Sequence, residues 1–174
     1  FERGAWIAPA NELLQGVVAL DPPLRRARLI DLQDAQVNAL RQEPRGFVSL
    51  SADTLSDEVD WRPIGVRRLL SLLRRVALRL GATYVFEPND QAFHRLVRRG
   101  FEGLLGGMYA RGAFAGATTD AAFRVVTDST LNTRQLMDEG RFIVEIKVAP
   151  SLPLTFLTIR LVQSGDRGLA TEER

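Results

Sequence analysis

The sequence predicts an α/β (α+β) domain: a mixed β-sheet flanked by two long amphipathic helices, with an extended C-terminal β-strand arm. Three observations carry that expectation. Two stretches, Ile64 to Leu80 and the segment after Asn89-Asp90, repeat apolar residues at helical spacing. Two others, Arg141 to Val148 and Leu154 to Val162, alternate apolar and polar residues as half-buried strands do. With 174 residues, 45% of them hydrophobic and 25% charged, the chain can bury a core without disulfides or metals.

In chain order, the residues up to Asn11 read as extended, and the apolar run Val17 to Leu20 is halted by Asp21-Pro22-Pro23. From Leu24 to Arg41 the spacing is ambiguous. Leu29, Leu32, Val37 and Leu40 fit a helix, whereas Val37 to Leu40 fits a strand, and the strand is preferred. Gly46 to Ser51 alternates and should pair with it through the Glu43-Pro44-Arg45-Gly46 turn. Pro63 suits a first helical turn, and Gly81 can close the helix near Leu80 in a left-handed conformation. That helix should bury Val66, Leu69, Leu70, Leu73, Val76, Ala77 and Leu80, with Arg67, Arg68, Ser71, Arg74, Arg75 and Arg79 on the opposite face.

Thr83 to Glu87 is rich in β-formers and ends at Pro88, which cannot donate to a ladder. Asn89 or Asp90 then caps the second long helix, whose stripe is Phe93, Leu96, Val97, Phe101, Leu104 and Met108, and which Arg111-Gly112 closes. Gly100, Gly103 and Gly107 within it suggest that a packed neighbour comes close. Thr118 caps a one-turn helix over Thr119 to Ala122, and a strand follows from Phe123 to Asp128. Ala149-Pro150-Ser151-Leu152-Pro153 is a stiff connector between the last two strands. The expected division is a body over 1–150, a linker and strand arm over 151–163, and a mobile tail over 164–174.

Composition removes several chemistries. Without cysteine there are no disulfides, thiolate nucleophiles or zinc-cysteine sites, and a Ser-His-Asp arrangement would have to use His94, the single histidine. No cofactor is implied. No apolar run reaches the roughly 18 residues of a spanning helix, so no membrane insertion is expected. The chain starts at Phe1 with no signal-peptide pattern and reads as a piece of a longer protein. Net charge is +2, yet pI is 9.6, because the basic residues are arginine apart from Lys147.

Three function classes are open to these residues. The arginine face, with Leu78 among the charges, fits an acidic protein surface. It could instead neutralise nucleic-acid phosphates, although no aromatic residues are interleaved. An enzyme could use Glu87, Asp90 and His94, but a strand end and a helix cap account for the two carboxylates. Leu154 to Val162 could add to a sheet of its own chain or of a neighbour, an intrachain hairpin being the default.

Several segments resemble the C-terminal part of the contractile tail sheath family, found in contractile phages, R-type bacteriocins and related injection systems. They are Trp6-Ile7-Ala8-Pro9-Ala10-Asn11, Thr54-Leu55-Ser56, Trp61 with Val66-Arg67-Arg68-Leu69-Leu70, and Phe86-Glu87-Pro88-Asn89. Gly112-Ala113-Phe114-Ala115-Gly116-Ala117, Gly140-Arg141, Val144-Glu145-Ile146, Ala149-Pro150, Pro153 and Phe156 continue the likeness. Where the family often has Trp-Gly-Ala-Arg-Thr-Leu, this chain has Leu50-Ser51-Ala52-Asp53-Thr54-Leu55.

The resemblance implies a structural subunit, not an enzyme, that stacks in rings around an inner tube and contracts to drive it through a target envelope. The 1–150 body would be the tube-proximal domain. Arg67, Arg68, Arg74, Arg75 and Arg79 become candidate tube contacts, and Leu154, Phe156, Leu157, Ile159 and Leu161 become candidates for an inter-subunit strand. The implied partners are other sheath subunits, the inner tube protein, and baseplate and tail terminator proteins, with nucleic acid not expected. The implied location is a phage virion tail or contractile injection particle assembled in the bacterial cytoplasm.

Overall fold

The computed structural model describes residues 4–84, 87–150, 156–164 and 168–173. The chain divides into two compact units, Phe1–Arg68 and Leu69–Arg174.

The first unit contains α1 (Arg26–Asp34) and an antiparallel pair, β1 (Leu40–Glu43) with β2 (Gly46–Ser49). The preferred strand therefore starts at Leu40, and part of the ambiguous stretch is helix. The turn between the strands is the expected one, and Gly46 adopts φ 132° there, a conformation that excludes most side chains. On the other edge of β2, Asn11 N donates to Ser49 O at 2.7 Å and Leu14 N to Phe47 O at 2.8 Å. Val48 is fully buried, and Leu29, Ala39, Phe47, Ala52 and Val66 are buried in the same unit. Gly65 lies so close to the backbone of Trp6 that a Cβ there would fall 2.6 Å from its carbonyl oxygen.

Helix α2 (Ile64–Ala82) spans the division between units. It runs through Gly81, which does not close it in a left-handed conformation. A Cβ at Gly81 would meet Leu169 at 2.7 Å and Leu161 at 2.9 Å, so the glycine serves close packing. Thr83 and Tyr84, expected to begin a strand, form a turn instead, and 85–86 lie outside the described residues.

In the second unit, β3 (Phe123–Val126), β4 (Arg141–Val148), β5 (Leu157–Ser164) and β6 (Gly168–Glu173) form one sheet in that order. Every pairing among the described residues is antiparallel, where a mixed sheet was expected, and the architecture is α+β. The last residues, expected to be a mobile tail, contribute β6. Its residues alternate between exposed and half-exposed with none buried, too weak a pattern to announce a strand.

Helix α3 (Gln91–Ala110) begins at Asp90, whose carboxylate accepts from Phe93 N at 2.8 Å. It buries Phe93, Val97, Phe101, Leu105 and Met108, so Leu105 takes a place expected for Leu96 and Leu104. Of the glycines expected to meet a neighbour, only Gly100 does, with a Cβ position 2.6 Å from the Tyr84 hydroxyl, whereas Gly103 and Gly107 face open space. Leu69, Leu70, Leu73 and Ala77 of α2 join the α3 stripe in the core. The sheet contributes Phe142, Val144, Ile146 and Val148 of β4, with Leu157, Ile159 and Leu161 of β5 in register across from the last three. At about 1.5–3 kcal/mol per large side chain, this apolar face is the main stabilising term of the unit.

Short α4 (Thr119–Ala122) is capped by Thr118 as expected, and α5 (Arg134–Asp138) is capped by Thr133. Between β3 and α5, the chain leaves the sheet and Asn132 takes over the ladder. Its Oδ1 accepts from Ile143 N at 2.7 Å, and its Nδ2 donates to Ile143 O at 2.8 Å and Thr127 O at 3.3 Å.

Candidate assembly surfaces

The five arginines of α2 do not behave alike. The Arg67 guanidinium lies over the Trp61 ring, 5.0 Å from its centroid, and Arg68 Nη1 donates to Ile7 O at 3.5 Å. Arg74 Nε donates to Thr171 Oγ1 at 2.7 Å, tying the helix to β6. Arg75 and Arg79 are exposed and have no hydrogen bond or ion pair among the described residues. Among the described residues their cations have no internal contact that a partner would first have to break.

The strand candidates sit largely inside the fold. Leu154 lies outside the described residues, and Phe156, just before β5, is 42% exposed. Leu157, Ile159 and Leu161 are buried, and β5 has β4 on one side and β6 on the other. In this single chain, the default intrachain pairing is the one adopted.

The three candidate catalytic side chains do not converge. His94 lines a groove of about 910 Å3 between α3 and β3, together with Arg95, Arg98, Glu102, Arg124 and Asp128. Glu87 and Asp90 line a different groove of about 450 Å3 with Pro88, Ala92, Leu96 and Arg99. The His94 ring stacks on Phe142 at 4.7 Å, and its Nε2 is 2.8 Å from Asn89 Oδ1. Burial lowers its pKa, and the nearby Asp90 charge only partly offsets that. Asn89 Nδ2 donates to Arg141 O, so the histidine braces the start of α3 against β4. Among the described residues no cluster of His, Cys, Asp or Glu could hold a metal ion. No described helix is long and apolar enough to cross a membrane.

The sheet face away from the helices carries a buried charge. Glu145 is only 8% exposed, opposite Arg160 in register, and bonded to its guanidinium, while Lys147 Nζ lies 3.5 Å away. Burial pushes its carboxyl up, but the Arg160 hydrogen bond and charge, helped by Lys147, outweigh that and hold it below the usual range. Sequence reading missed this pair, as it missed Asn132 and β6. The glutamate and arginine are 15 residues apart, so only the β4–β5 register brings them together.

No family model matches the chain. It is 28% identical over 162 residues to the tail sheath protein of Vibrio phage KVP40, covering 90% of this chain and 23% of that protein. Among solved structures it is similar to the helical sheath of the anti-feeding prophage in its contracted state, with 30% identity and a TM-score of 0.79 over 89% of this chain and 44% of the other. A contracted sheath complex of the extracellular contractile injection system PVC gives 29% identity and a TM-score of 0.78 over 87% and 44%. The chain thus spans less than half the length of the relatives it matches.

Proposed function

Starting from a chain that is a homologue of contractile tail sheath proteins, we propose that it is part of a sheath subunit. Such subunits would polymerise in stacked rings around an inner tube, on a baseplate, and contract to drive the tube through a target envelope. The observation that carries the reading is the match to the contracted anti-feeding prophage sheath, 30% identical at a TM-score of 0.79 over nearly the whole chain. The role is mechanical and needs no catalyst, which agrees with His94 lining a different groove from Glu87 and Asp90. The location would be a phage tail or injection particle, assembled in the bacterial cytoplasm and closed by a terminator protein.

Two surfaces take on roles under this reading. Of the arginines proposed to face an acidic tube, Arg75 and Arg79 are the principal contacts, because Arg67, Arg68 and Arg74 are held by Trp61, Ile7 and Thr171. The candidate strand, Leu154 and Phe156 followed by Leu157, Ile159 and Leu161, would be delivered to a neighbour's β4, with β5 in the register it has here within one chain. Exchange of an identical element between subunits needs no new pairing geometry.

Cysteines replacing Lys147 and Thr158, which face each other across β4 and β5, test the exchange in this cysteine-free chain. Oxidation of assembled polymer should link subunits into covalent chains. A disulfide confined to single subunits would mean that the strand stays at home. Sedimentation of the full-length protein tests the sheath reading itself: large pelletable polymers are expected, and a monomer at every concentration would contradict it.

A further inference from the structure

Leu55 and Val59 are 83% and 72% exposed on loop 53–60, a segment that runs into one 3-10 turn over Val59–Trp61. This loop is braced. Asp53 bridges Pro63, Thr54 N donates to Arg62 O at 2.7 Å, and the Arg62 guanidinium turns inward to Ser56 O at 3.3 Å and Asp57 O at 3.4 Å. A braced loop loses little conformational freedom when covered, and two large aliphatic side chains held out on one such loop mark an interaction surface. Asp53, Asp57, Glu58 and Asp60 flank them in sequence. Among the described residues none of these carboxylates is in an ion pair, since Arg62, the one cation of the segment, is spent on carbonyls.

The complementary surface is carried by the same chain. On α3, Leu96 is 49% exposed between Arg95 and Arg99, beside the groove lined by Pro88 and Ala92. Neither arginine is in an ion pair among the described residues. Two carboxylates share the groove, Glu87 and Asp90, and Asp90 is committed to capping Phe93 N. We propose that loop 53–60 of one copy docks on the Arg95-Leu96-Arg99 face of a second copy, with aliphatic side chains meeting at the centre and opposite charges around them. The two patches differ, so the contact is head-to-tail and propagates into a ring or helix. It adds to the sheath reading a lateral contact of stated residues.

The test uses the full-length protein and sedimentation velocity, with folding checked by circular dichroism. One variant carries Asp57→Arg, Glu58→Arg and Asp60→Arg, another Arg95→Glu and Arg99→Glu, and each presents like charges to its own kind. Each alone should lose at least about tenfold in self-association. An equimolar mixture should recover it, because every loop then meets an oppositely charged α3. Leu55→Ser, which leaves the charges intact, should also weaken association. Parental association by either charge variant alone, or a mixture that stays dissociated, overturns the contact. If those variants still build polymers, the sheath reading survives; a parent that never self-associates defeats both.

Discussion

Replacing Asn132 by alanine strands two backbone groups of β4. Asn132 is 1% exposed and closes the ladder where β3 has ended, accepting from Ile143 N at 2.7 Å and donating to Ile143 O at 2.8 Å. The third bond, to Thr127 O at 3.3 Å, is longer and weaker. A buried polar group left without a partner costs about 1–3 kcal/mol, so losing both Ile143 partners should destabilise by about 2–5 kcal/mol. In a chain of this size that corresponds to a fall of roughly 5–15 °C in the melting temperature. Thermal and urea unfolding followed by circular dichroism measure both. Asn132→Asp sharpens the test. The ionised carboxylate can still accept from Ile143 N but cannot donate to Ile143 O, and burial raises its pKa. A raised carboxyl pKa means destabilisation that grows as pH rises above the unfolded value, so this variant should recover stability toward acid, where its protonated form can donate again. A loss below about 0.5 kcal/mol for Asn132→Ala, as at an ordinary surface site, would refute the view that this side chain completes the sheet.

Three further outcomes follow from other contacts. Arg75→Glu with Arg79→Glu should weaken co-assembly with the tube protein while leaving the melting temperature within a few degrees, because neither arginine has a partner inside the described residues; unchanged co-assembly in a pelleting assay would count against the tube contact. Asp90→Ala should cost about 1 kcal/mol through the lost cap at Phe93 N, read from urea unfolding. Glu145 has a lowered pKa in the folded state, so its contribution is present above the ordinary glutamate range and disappears as pH falls through the folded value. Glu145→Gln should therefore lose about 1–3 kcal/mol near neutrality and show a flatter stability profile below about pH 5, and an unchanged profile would contradict the Arg160 pairing.

The sequence exposed those parts of the fold that depend on periodicity. The stripe of α2, the cap at Asp90, the Glu43–Gly46 turn and the span of β4 are local patterns, and each is where the residues put it, except that Val76 and Leu80 of the α2 stripe stay half-buried. What stayed hidden depends on long-range partners. β6 is polar and becomes a strand by pairing with β5, and Gly81 looks like a helix stop until Leu169 and Leu161 pack against it. The candidate surfaces divided the same way. Helical spacing located the arginines, but only the fold separates Arg74, bonded to Thr171 across 97 residues, from Arg75 next to it. The apolar pattern of β5 is equally compatible with a neighbour's sheet and with its own, since both offer the same ladder.

Electron microscopy of the full-length protein co-expressed with its tube partner tests the central claim most directly. Striated hollow tubes built of stacked rings around an inner tube are the predicted result. Discrete particles in the presence of assembled tubes would contradict the sheath assignment.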